Sequence, residues 1–357
     1  MKSQIKPIAR ALAFCQRFGL EIPILMAPMA GSCPPALAAA VVEAGGMGAC
    51  GVVVMSPDQI AGWAADFRRL SDGPFQLNAW APDPPPDRDP EHEKRVREFL
   101  GGWGPAVPPE AGDAAPAPFE DQARAMLAAN PSAISSVMGL FPRWLIDELK
   151  SRRIPWFAHV TTLAEARAAE QAGADVIVVQ GVEAGGHRGA FEVGDDERRQ
   201  PTLMALLPAV ADAVETPVVA AGGIADGRGV AAALVLGADA VAIGTGLLRS
   251  PEAAIDPAWA EGLARAAPED TLVSRVFSGR AGRSLATGYV LAATAPGAPA
   301  PAPYPVQRGL TAAMRKAGRG NLDRIQAWSG QAAFLARAAP AGQIVREAWN
   351  GAQALLK

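Results

Sequence analysis

Asp175-Val-Ile-Val-Val-Gln-Gly-Val-Glu-Ala-Gly-Gly-His-Arg-Gly189 is the stretch that decides the fold of this 357-residue chain. Residues 175–179 are rich in β-branched side chains, which is typical of a strand buried on both faces of a parallel sheet. The loop that follows contains four glycines, which let the backbone approach a flat ligand closely, and it carries His187. Enzymes with α/β folds place their chemistry at the carboxyl ends of such strands. The stretch therefore predicts an active-site loop with His187 as a catalytic residue, against the alternative of a solvated surface loop.

Composition and charge indicate a small-molecule partner. Half of the residues are hydrophobic, which is enough for a sizeable core, and the formal net charge is only -3. Lysines and arginines are scattered, so the sequence predicts no binding of nucleic acid or of an anionic membrane. The N-terminus lacks the apolar core of a signal peptide, and no unbroken apolar run is long enough to cross a bilayer. We expect a cytoplasmic protein that is a monomer or a homodimer.

The cysteines and histidines do not form a recognisable metal or disulfide pattern. Cys15, Cys33 and Cys50 have neither the number nor the spacing of a disulfide framework or a zinc site. The three histidines contain no His-Glu-x-x-His pair, and no G-x-S-x-G element marks a serine nucleophile. We therefore predict that the site contains no metal ion.

Strand and helix patterns alternate along the first 250 residues. The predicted strands cover residues 22–29, 47–54, 75–80, 133–139, 155–160, 175–180, 217–223 and 240–245. The predicted helices between them cover residues 34–44, 58–70, 119–129, 142–151, 163–172, 201–214 and 226–236. Eight buried strands, nearly each followed by a helix, predict a TIM (β/α)₈ barrel rather than an open sheet.

Two regions depart from this alternation. The proline-rich residues 81–118 form an insertion after the third strand, with one predicted helix at 91–100, and they act either as a lid or subunit contact or as a passive surface segment. We expect residues 1–250 to form the barrel. We expect residues 251–357 to be helical, to include the last barrel helix and to pack on the barrel.

The strand ends supply polar groups suited to a phosphorylated heteroaromatic ligand. Gly222-Gly223 and Gly244-Thr245 end the last two strands and precede helical segments, which predicts a phosphate cradle rather than glycines that only turn tight corners. Asn78 and Gln180 can both donate and accept hydrogen bonds, as the pyrimidine edge of a flavin demands. His159 ends the fifth strand and is either a ligand contact or a core histidine.

At this point the sequence resembles the nitronate monooxygenases, formerly called 2-nitropropane dioxygenases, which are flavin enzymes on a TIM barrel. The most specific similarity is Gln180-Gly-Val-Glu-Ala-Gly-Gly-His-Arg-Gly189. Other similar segments are Ala27–Gly31, Ala44–Gly48, Phe75–Asn78, Ala221–Gly227 and Gly237–Thr245, in the order of the family. The tail, with Tyr304-Pro-Val-Gln307 and Trp328-Ser-Gly-Gln331, is similar to the class I branch.

The resemblance implies an FMN site and a reaction. It implies that His187 is the catalytic base or a substrate-orienting group, and that His159 is a weaker candidate for a flavin contact. The residues implied to bind or line FMN are Pro28, Met29, Asn78, Gln180, Gly185, Gly222, Gly223, Ile243, Gly244 and Thr245. The implied reaction is the oxidation of alkyl nitronates, and of nitroalkanes, by O2 to a carbonyl compound and nitrite. Ala242, where relatives often have Gln, and the Val137–Leu140 strand end depart from the family pattern and put substrate preference in doubt.

Two other functions are compatible with these residues. One is an NAD(P)H-dependent flavin reductase of the quinone or enoyl reductase type on the same barrel. The other is a barrel that binds a phosphorylated ligand without turnover. Tyr289 and Tyr304, the only tyrosines, are either phenol donors to a nitro group or packing residues. Reduction of the flavin by a nitronate or by NAD(P)H would distinguish the two enzymes.

Overall fold

The structure, a computed structural model, describes residues 6–113 and 115–357. Eight parallel strands form one barrel: β1 (Ile24–Met26), β2 (Gly48–Gly51), β3 (Phe75–Trp80), β4 (Ala133–Val137), β5 (Trp156–Val160), β6 (Val176–Gln180), β8 (Val218–Ala221) and β9 (Ala240–Ile243). The short strand β7 (Gly186–His187) belongs to a second sheet. The strand order in the barrel is β1-β9-β8-β6-β5-β4-β3-β2, and a bridge between Leu25 and Met47 joins the two ends of this order. The predicted TIM barrel is confirmed.

Several strands are shorter than predicted, for local reasons. The first strand was expected over 22–29 but pairs only over Ile24–Met26, because Pro23 and Pro28 on either side lack the N–H that a ladder needs. The seventh barrel strand, β8, ends at Ala221 because Gly222 and Gly223 adopt φ values of 112° and 69°.

Helices surround the barrel and continue into the C-terminal region. They are α1 (Pro7–Phe18), α2 (Pro35–Glu43), α3 (Pro57–Leu70), α4 (Pro90–Gly101), α5 (Phe119–Ala129), α6 (Arg143–Arg152), α7 (Leu163–Ala172), α8 (Leu203–Ala211), α9 (Gly227–Val235), α10 (Pro257–Arg265), α11 (Gly288–Thr294), α12 (Val306–Leu310), α13 (Ala312–Ala317) and α14 (Ala341–Leu356). None of them, within the described ranges, combines the length and hydrophobicity that a bilayer-spanning helix requires.

The alternation of side chains along β6 separates the two halves of the core. Ile177 and Val179 pack among the residues between the sheet and the helices, whereas Val176 and Val178 point into the barrel. Helix α1, for which the sequence analysis made no prediction, adds Phe14 and Phe18 to the interior cluster. Because Phe18 packs edge-on against Phe157 with ring centroids 5.2 Å apart, the amino-terminal end of the barrel is closed by apolar side chains.

The sequence analysis expected the region after residue 250 to be helical. The structure shows that this region also contains strands. Strands β10 (Thr271–Ser274) and β11 (Gly282–Leu285) form an antiparallel sheet whose third strand is β7 (Gly186–His187), the loop after β6. The sequences of β10, Thr-Leu-Val-Ser, and of β11, Gly-Arg-Ser-Leu, are too short and too polar to predict strands. These segments become strands because they pair with other segments of the chain. The last helix, α14, packs against α9 and α2 on the outside of the barrel.

The insertion at residues 81–118 packs on this C-terminal region. Val96 and Leu100 of α4 lie in one hydrophobic cluster with Phe277, Tyr289 and Leu310. One ion pair, between Asp83 of the insertion and Arg280 of the C-terminal region, adds to the contact, and the pair of Arg88 with Glu93 lies inside the insertion. The insertion and the C-terminal region thus share a second small core beside the carboxyl-terminal end of the barrel.

Candidate active site

A cavity of about 430 Å³ opens at the carboxyl ends of the barrel strands. This volume lies within the range of roughly 300–1,000 Å³ that small-molecule and cofactor sites occupy. The sequence-predicted residues that line it are Pro28, Met29, Asn78, His159, Gln180, Gly185, His187, Gly222, Gly223, Gly244 and Thr245. The structure therefore brings together side chains and glycines from seven segments of the barrel.

Ile243 is the one predicted site residue that does not line the cavity. Its side chain is fully buried in the core between the sheet and the helices, whereas Ala242 and Gly244 on either side of it reach the cavity wall. Successive residues of a strand point to opposite faces, so a strand-end motif cannot place three neighbours in the same site. The Ile243 carbonyl instead accepts a hydrogen bond of 2.9 Å from the Ala27 N–H and fixes that corner of the barrel.

His187 is held at the cavity by the small sheet of the C-terminal region. It pairs with Gly282 across the β7–β11 ladder. Its imidazole lies between Trp80 and Trp328, and the centroid of the imidazole is 4.7 Å from the ring centroid of each tryptophan. The Nε2 atom lies 2.7 Å from the Oγ of Ser278. The ring is thus clamped by two aromatic side chains and anchored at one nitrogen.

The environment keeps the His187 imidazole neutral. Burial, with a smaller contribution from the positive charges of Arg280 and Arg308, lowers its pKa to about 3. At neutral pH the side chain is therefore an uncharged hydrogen-bonding group. The alternative of a protonated imidazole that pairs with an anionic substrate is disfavoured by these neighbours.

The amide of Gln180 holds the His187 loop in place. Its Nε2 donates to the His187 carbonyl at 2.9 Å, and its Oε1 accepts from the Gly189 N–H at 2.9 Å. Gln180 lines the cavity, but these two bonds make it first a support for the loop. Asn78 is similar, because its Nδ2 donates to the Ser135 Oγ at 2.9 Å. The amide carbonyl of Asn78 accepts no hydrogen bond within the described residues.

Two side chains that line the cavity have a buried nitrogen without a protein partner among the described residues. They are His159, with its Nε2, and Trp259, with its Nε1; the Oγ of Ser329, which lies between two lining residues, is likewise unpartnered. Burial lowers the pKa of His159 to about 4, so its ring is neutral at physiological pH. Buried polar groups are nearly always hydrogen-bonded in native proteins, so the unpartnered atoms at the cavity are candidates for contact with a bound ligand.

The glycine turns after β8 and β9 form a cradle of free main-chain N–H groups that suits an anion, although not in the way predicted. No hydrogen bond within the described residues uses the main-chain N–H groups of Gly222, Gly223, Gly244 or Thr245. Free N–H groups in such turns are the donors that bind phosphate. The helix N-termini supply fewer free N–H groups to this cradle than predicted. The Asp226 side chain already accepts hydrogen bonds at the start of α9, and only one 3₁₀ turn follows β9.

A third segment completes the cradle. A Cβ atom on Gly185 would lie 2.4 Å from the Gly330 nitrogen, so the two backbones pack directly on each other. The Gly330 N–H donates to the Thr245 Oγ1 at 3.0 Å. The loop of His187, the turn after β9 and the C-terminal region therefore meet at one point.

Most of the remaining cavity wall comes from residues that the sequence analysis gave no role. Trp80, Arg308, Arg315 and Trp328 line it, and Tyr304 packs on Trp80 with centroids 5.0 Å apart. Motif similarity marked the segments of Tyr304 and Trp328, but no sequence signal indicated the two arginines. They enter the site through the long-range packing of the C-terminal region.

The two tyrosines lie in different parts of the structure. Tyr289 lies in the second core, where its hydroxyl donates to the Val276 carbonyl at 2.9 Å, so it is a packing residue. Tyr304 reaches the cavity and remains a candidate phenol donor. Within residues 6–113 and 115–357, no three His, Cys, Asp or Glu side chains cluster as metal ligands would.

A sequence profile of the nitronate monooxygenase family matches residues 14–350. The chain belongs to the nitronate monooxygenase family. A nitronate monooxygenase of Paraburkholderia phytofirmans is 37% identical over 337 residues, covering 92% of this chain and 92% of the relative. One of Pseudomonas aeruginosa is 37% identical over 341 residues, covering 93% of this chain and 97% of the relative. The family assignment made from the motifs is confirmed.

A solved structure supports the same assignment. The nitroalkane oxidase of Streptomyces ansochromogenes superposes with a TM-score of 0.85 at 33% identity. The match covers 95% of this chain and 98% of the other. The barrel and the C-terminal region are therefore both shared with that protein.

The two neutral cavity histidines make the stability of the protein depend on pH. The pKa values of His187 and His159, about 3 and about 4, lie below the ordinary histidine value of about 6.5, so below pH 6.5 the unfolded chain takes up protons that the native protein does not bind. We expect the free energy of unfolding to fall as the pH drops from 6.5 towards 4. His187→Asn should lower this slope by up to about 1.4 kcal/mol per pH unit, the value for one proton. Urea unfolding of both proteins between pH 4 and 8 measures it; parallel curves would contradict a neutral His187.

Proposed function

We propose that this protein uses FMN to oxidise alkyl nitronates with O2, giving a carbonyl compound and nitrite, and that it accepts neutral nitroalkanes less well. The observation that carries this proposal is the charge of the cavity. A neutral His187 stands beside Arg308, whose guanidinium forms no ion pair with a carboxylate in the described residues. Such a site favours a small anion over a neutral molecule.

The residues at the base of the cavity fit FMN. The N–H groups of Gly222, Gly223, Gly244 and Thr245 would hold the phosphate. The unpartnered His159 Nε2, Asn78 and Gln180 would contact the ring system, and Pro28 and Met29 would pack on it. FMN bound there would accept electrons from the substrate and pass them to O2.

The opposite side of the cavity would bind the substrate. Trp80, Trp328 and Tyr304 exclude water from the space around His187. Arg308 is half-buried, so its attraction for a nitronate is screened less than on the surface. A nitronate already lacks its α-proton. A neutral nitroalkane must lose that proton, and an imidazole with a pKa of about 3 is a weak base for the task.

Anaerobic stopped-flow spectroscopy tests the function directly. We expect the nitronate of nitroethane to bleach the flavin band faster than nitroethane itself, because the cavity favours the anion. The same pair of compounds shares one carbon skeleton, so only ionisation differs between them. Rapid bleaching by NADH or NADPH, with no response to the nitronate, would support the reductase instead. A purified protein without flavin would contradict both enzymes.

Replacing Arg308 tests the role of positive charge at the substrate end. Hydrogen bonds to charged groups contribute about 1.5–3 kcal/mol, so Arg308→Gln should raise the KM for a nitronate by about tenfold or more. The KM for the neutral nitroalkane should change much less. Arg319→Gln, an exposed arginine in the same region, removes the same charge outside the cavity and serves as the control. Equal effects on both substrates would show that Arg308 does not act through the substrate anion.

Replacing Gly185 tests the cofactor end. The Cβ of Gly185→Ala would lie 2.4 Å from the Gly330 nitrogen, so the backbone must shift and the cradle at Thr245 with it. Overpacking of this kind costs about 1–3 kcal/mol, and we expect FMN affinity to fall about tenfold. Gly194→Ala is the matched control, because its Cβ meets nothing within 4 Å. Fluorescence titration of the apoprotein with FMN measures both; unchanged affinity in Gly185→Ala would remove this turn from the cofactor site.

A further inference from the structure

Ser278 is buried beside the catalytic loop and reaches the imidazole of His187. Its side chain is fully inaccessible to solvent, and its Oγ lies 2.7 Å from His187 Nε2. A serine hydroxyl has one proton to donate, and a neutral imidazole has one nitrogen that donates and one that accepts. The direction of this single hydrogen bond therefore decides which ring nitrogen carries the proton.

We propose that Ser278 donates to His187 Nε2 and thereby holds the imidazole proton on Nδ1, which makes His187 a neutral N–H donor to a substrate oxygen. The inference rests on the proposed function for its catalytic consequence. The position of the proton, by contrast, is a property of the protein itself.

The distances around Ser278 favour this direction. O–H donors form bonds of about 2.5–3.0 Å, and N–H donors to oxygen are most often about 2.9–3.0 Å apart from their acceptors. The 2.7 Å between Oγ and Nε2 suits a hydroxyl donor. The reverse direction would require the hydroxyl to donate to the Arg280 carbonyl at 3.2 Å, which is long for such a bond. The Arg280 N–H lies 3.4 Å from the Oγ and donates to it, so this contact uses the hydroxyl only as an acceptor.

The turn that carries Ser278 is fixed on several sides. The Arg280 side chain is fully buried, donates to the Ala190 carbonyl at 2.7 Å and pairs with Asp83 of the insertion. Gly279 has a φ of 90°, and a Cβ there would lie 2.4 Å from the Tyr304 nitrogen. The Ala281 carbonyl accepts from the Arg188 N–H at 2.8 Å, next to His187. The hydroxyl is therefore placed by backbone that cannot easily move.

The other ring nitrogen is available to a ligand. His187 lines the cavity, and its Nδ1 makes no hydrogen bond within the described residues. An N–H at Nδ1 together with Arg308 would bind the two oxygens of a nitronate. The opposite tautomer would present a lone pair to the same anion and repel it. Ser278 is thus a positioning residue that adapts His187 to an anionic substrate.

Nitrogen NMR of the FMN-loaded enzyme measures the tautomer without reference to activity. The chain has only three histidines, so ¹⁵N-histidine labelling gives few signals, and His187→Asn identifies the one that belongs to His187. We expect long-range ¹H–¹⁵N correlations to show the proton on Nδ1 in the unmodified enzyme. A proton on Nε2 would overturn the proposal, whatever any Ser278 variant does.

Variants of Ser278 test the cause. Ser278→Ala should shift the proton towards Nε2 and lower kcat/KM for a nitronate about threefold to tenfold, the range for one lost hydrogen bond. Ser278→Thr keeps the hydroxyl and should keep the Nδ1 proton. An unchanged tautomer in Ser278→Ala, in protein that still binds FMN, would overturn the role of Ser278. If the tautomer is as expected but no nitronate is consumed, the proposed function fails and the tautomer assignment stands.

Discussion

The short backbone pairing between β7 and β11 is the constraint on which the site depends. It joins the loop that follows the sixth barrel strand to a segment about a hundred residues later, with Gly186 opposite Arg283 and His187 opposite Gly282. A glycine-rich loop of this kind has high conformational entropy when free. The pairing, with the two hydrogen bonds from Gln180, fixes its conformation before a ligand arrives. Without it, His187 would have neither a defined position nor its contact with Ser278.

The same constraint sets the electrostatics of the cavity. The β7–β11 pairing holds the C-terminal region against the barrel. The imidazole of His187 therefore lies between Trp80 and Trp328, with Arg280 and Arg308 near it. Burial and positive charge both disfavour the imidazolium form. A histidine in this position is better suited to donate a hydrogen bond than to remove a proton. Neutrality of the histidine and the preference for an anion that we propose would therefore both result from one packing arrangement.

The sequence predicted the barrel well, together with the strand-end residues that line the cavity, because both depend on local patterns. Strands buried on both faces, glycines at strand ends and the order of βα units locate Asn78, Gly222 and Thr245 without knowledge of any distant contact. The residues at the opposite side of the cavity, the proposed substrate end, were largely missed. Ser278 lies 91 residues from His187 along the chain, in the turn between β10 and β11, and nothing in the sequence of that turn indicates its partner. Ile243 does not line the cavity for a different reason: a motif names consecutive residues, whereas a strand points only every second side chain to one face.

This division of the site has a consequence for how it can change. The proposed cofactor end consists mostly of main-chain groups in tight turns, where a Cβ on Gly185 would lie 2.4 Å from the Gly330 nitrogen and where Gly222 and Gly223 have positive φ. Apart from His187 and Trp80, the proposed substrate end consists of side chains from the C-terminal region, such as Arg308 and Trp328, and that region packs with the insertion in a core of its own. Substitutions that keep this second core intact can therefore alter the charge and shape around the substrate while the cradle stays unchanged. Members of one family can share a cofactor site on this barrel and still differ in what they oxidise, because the two ends are built from different parts of the chain.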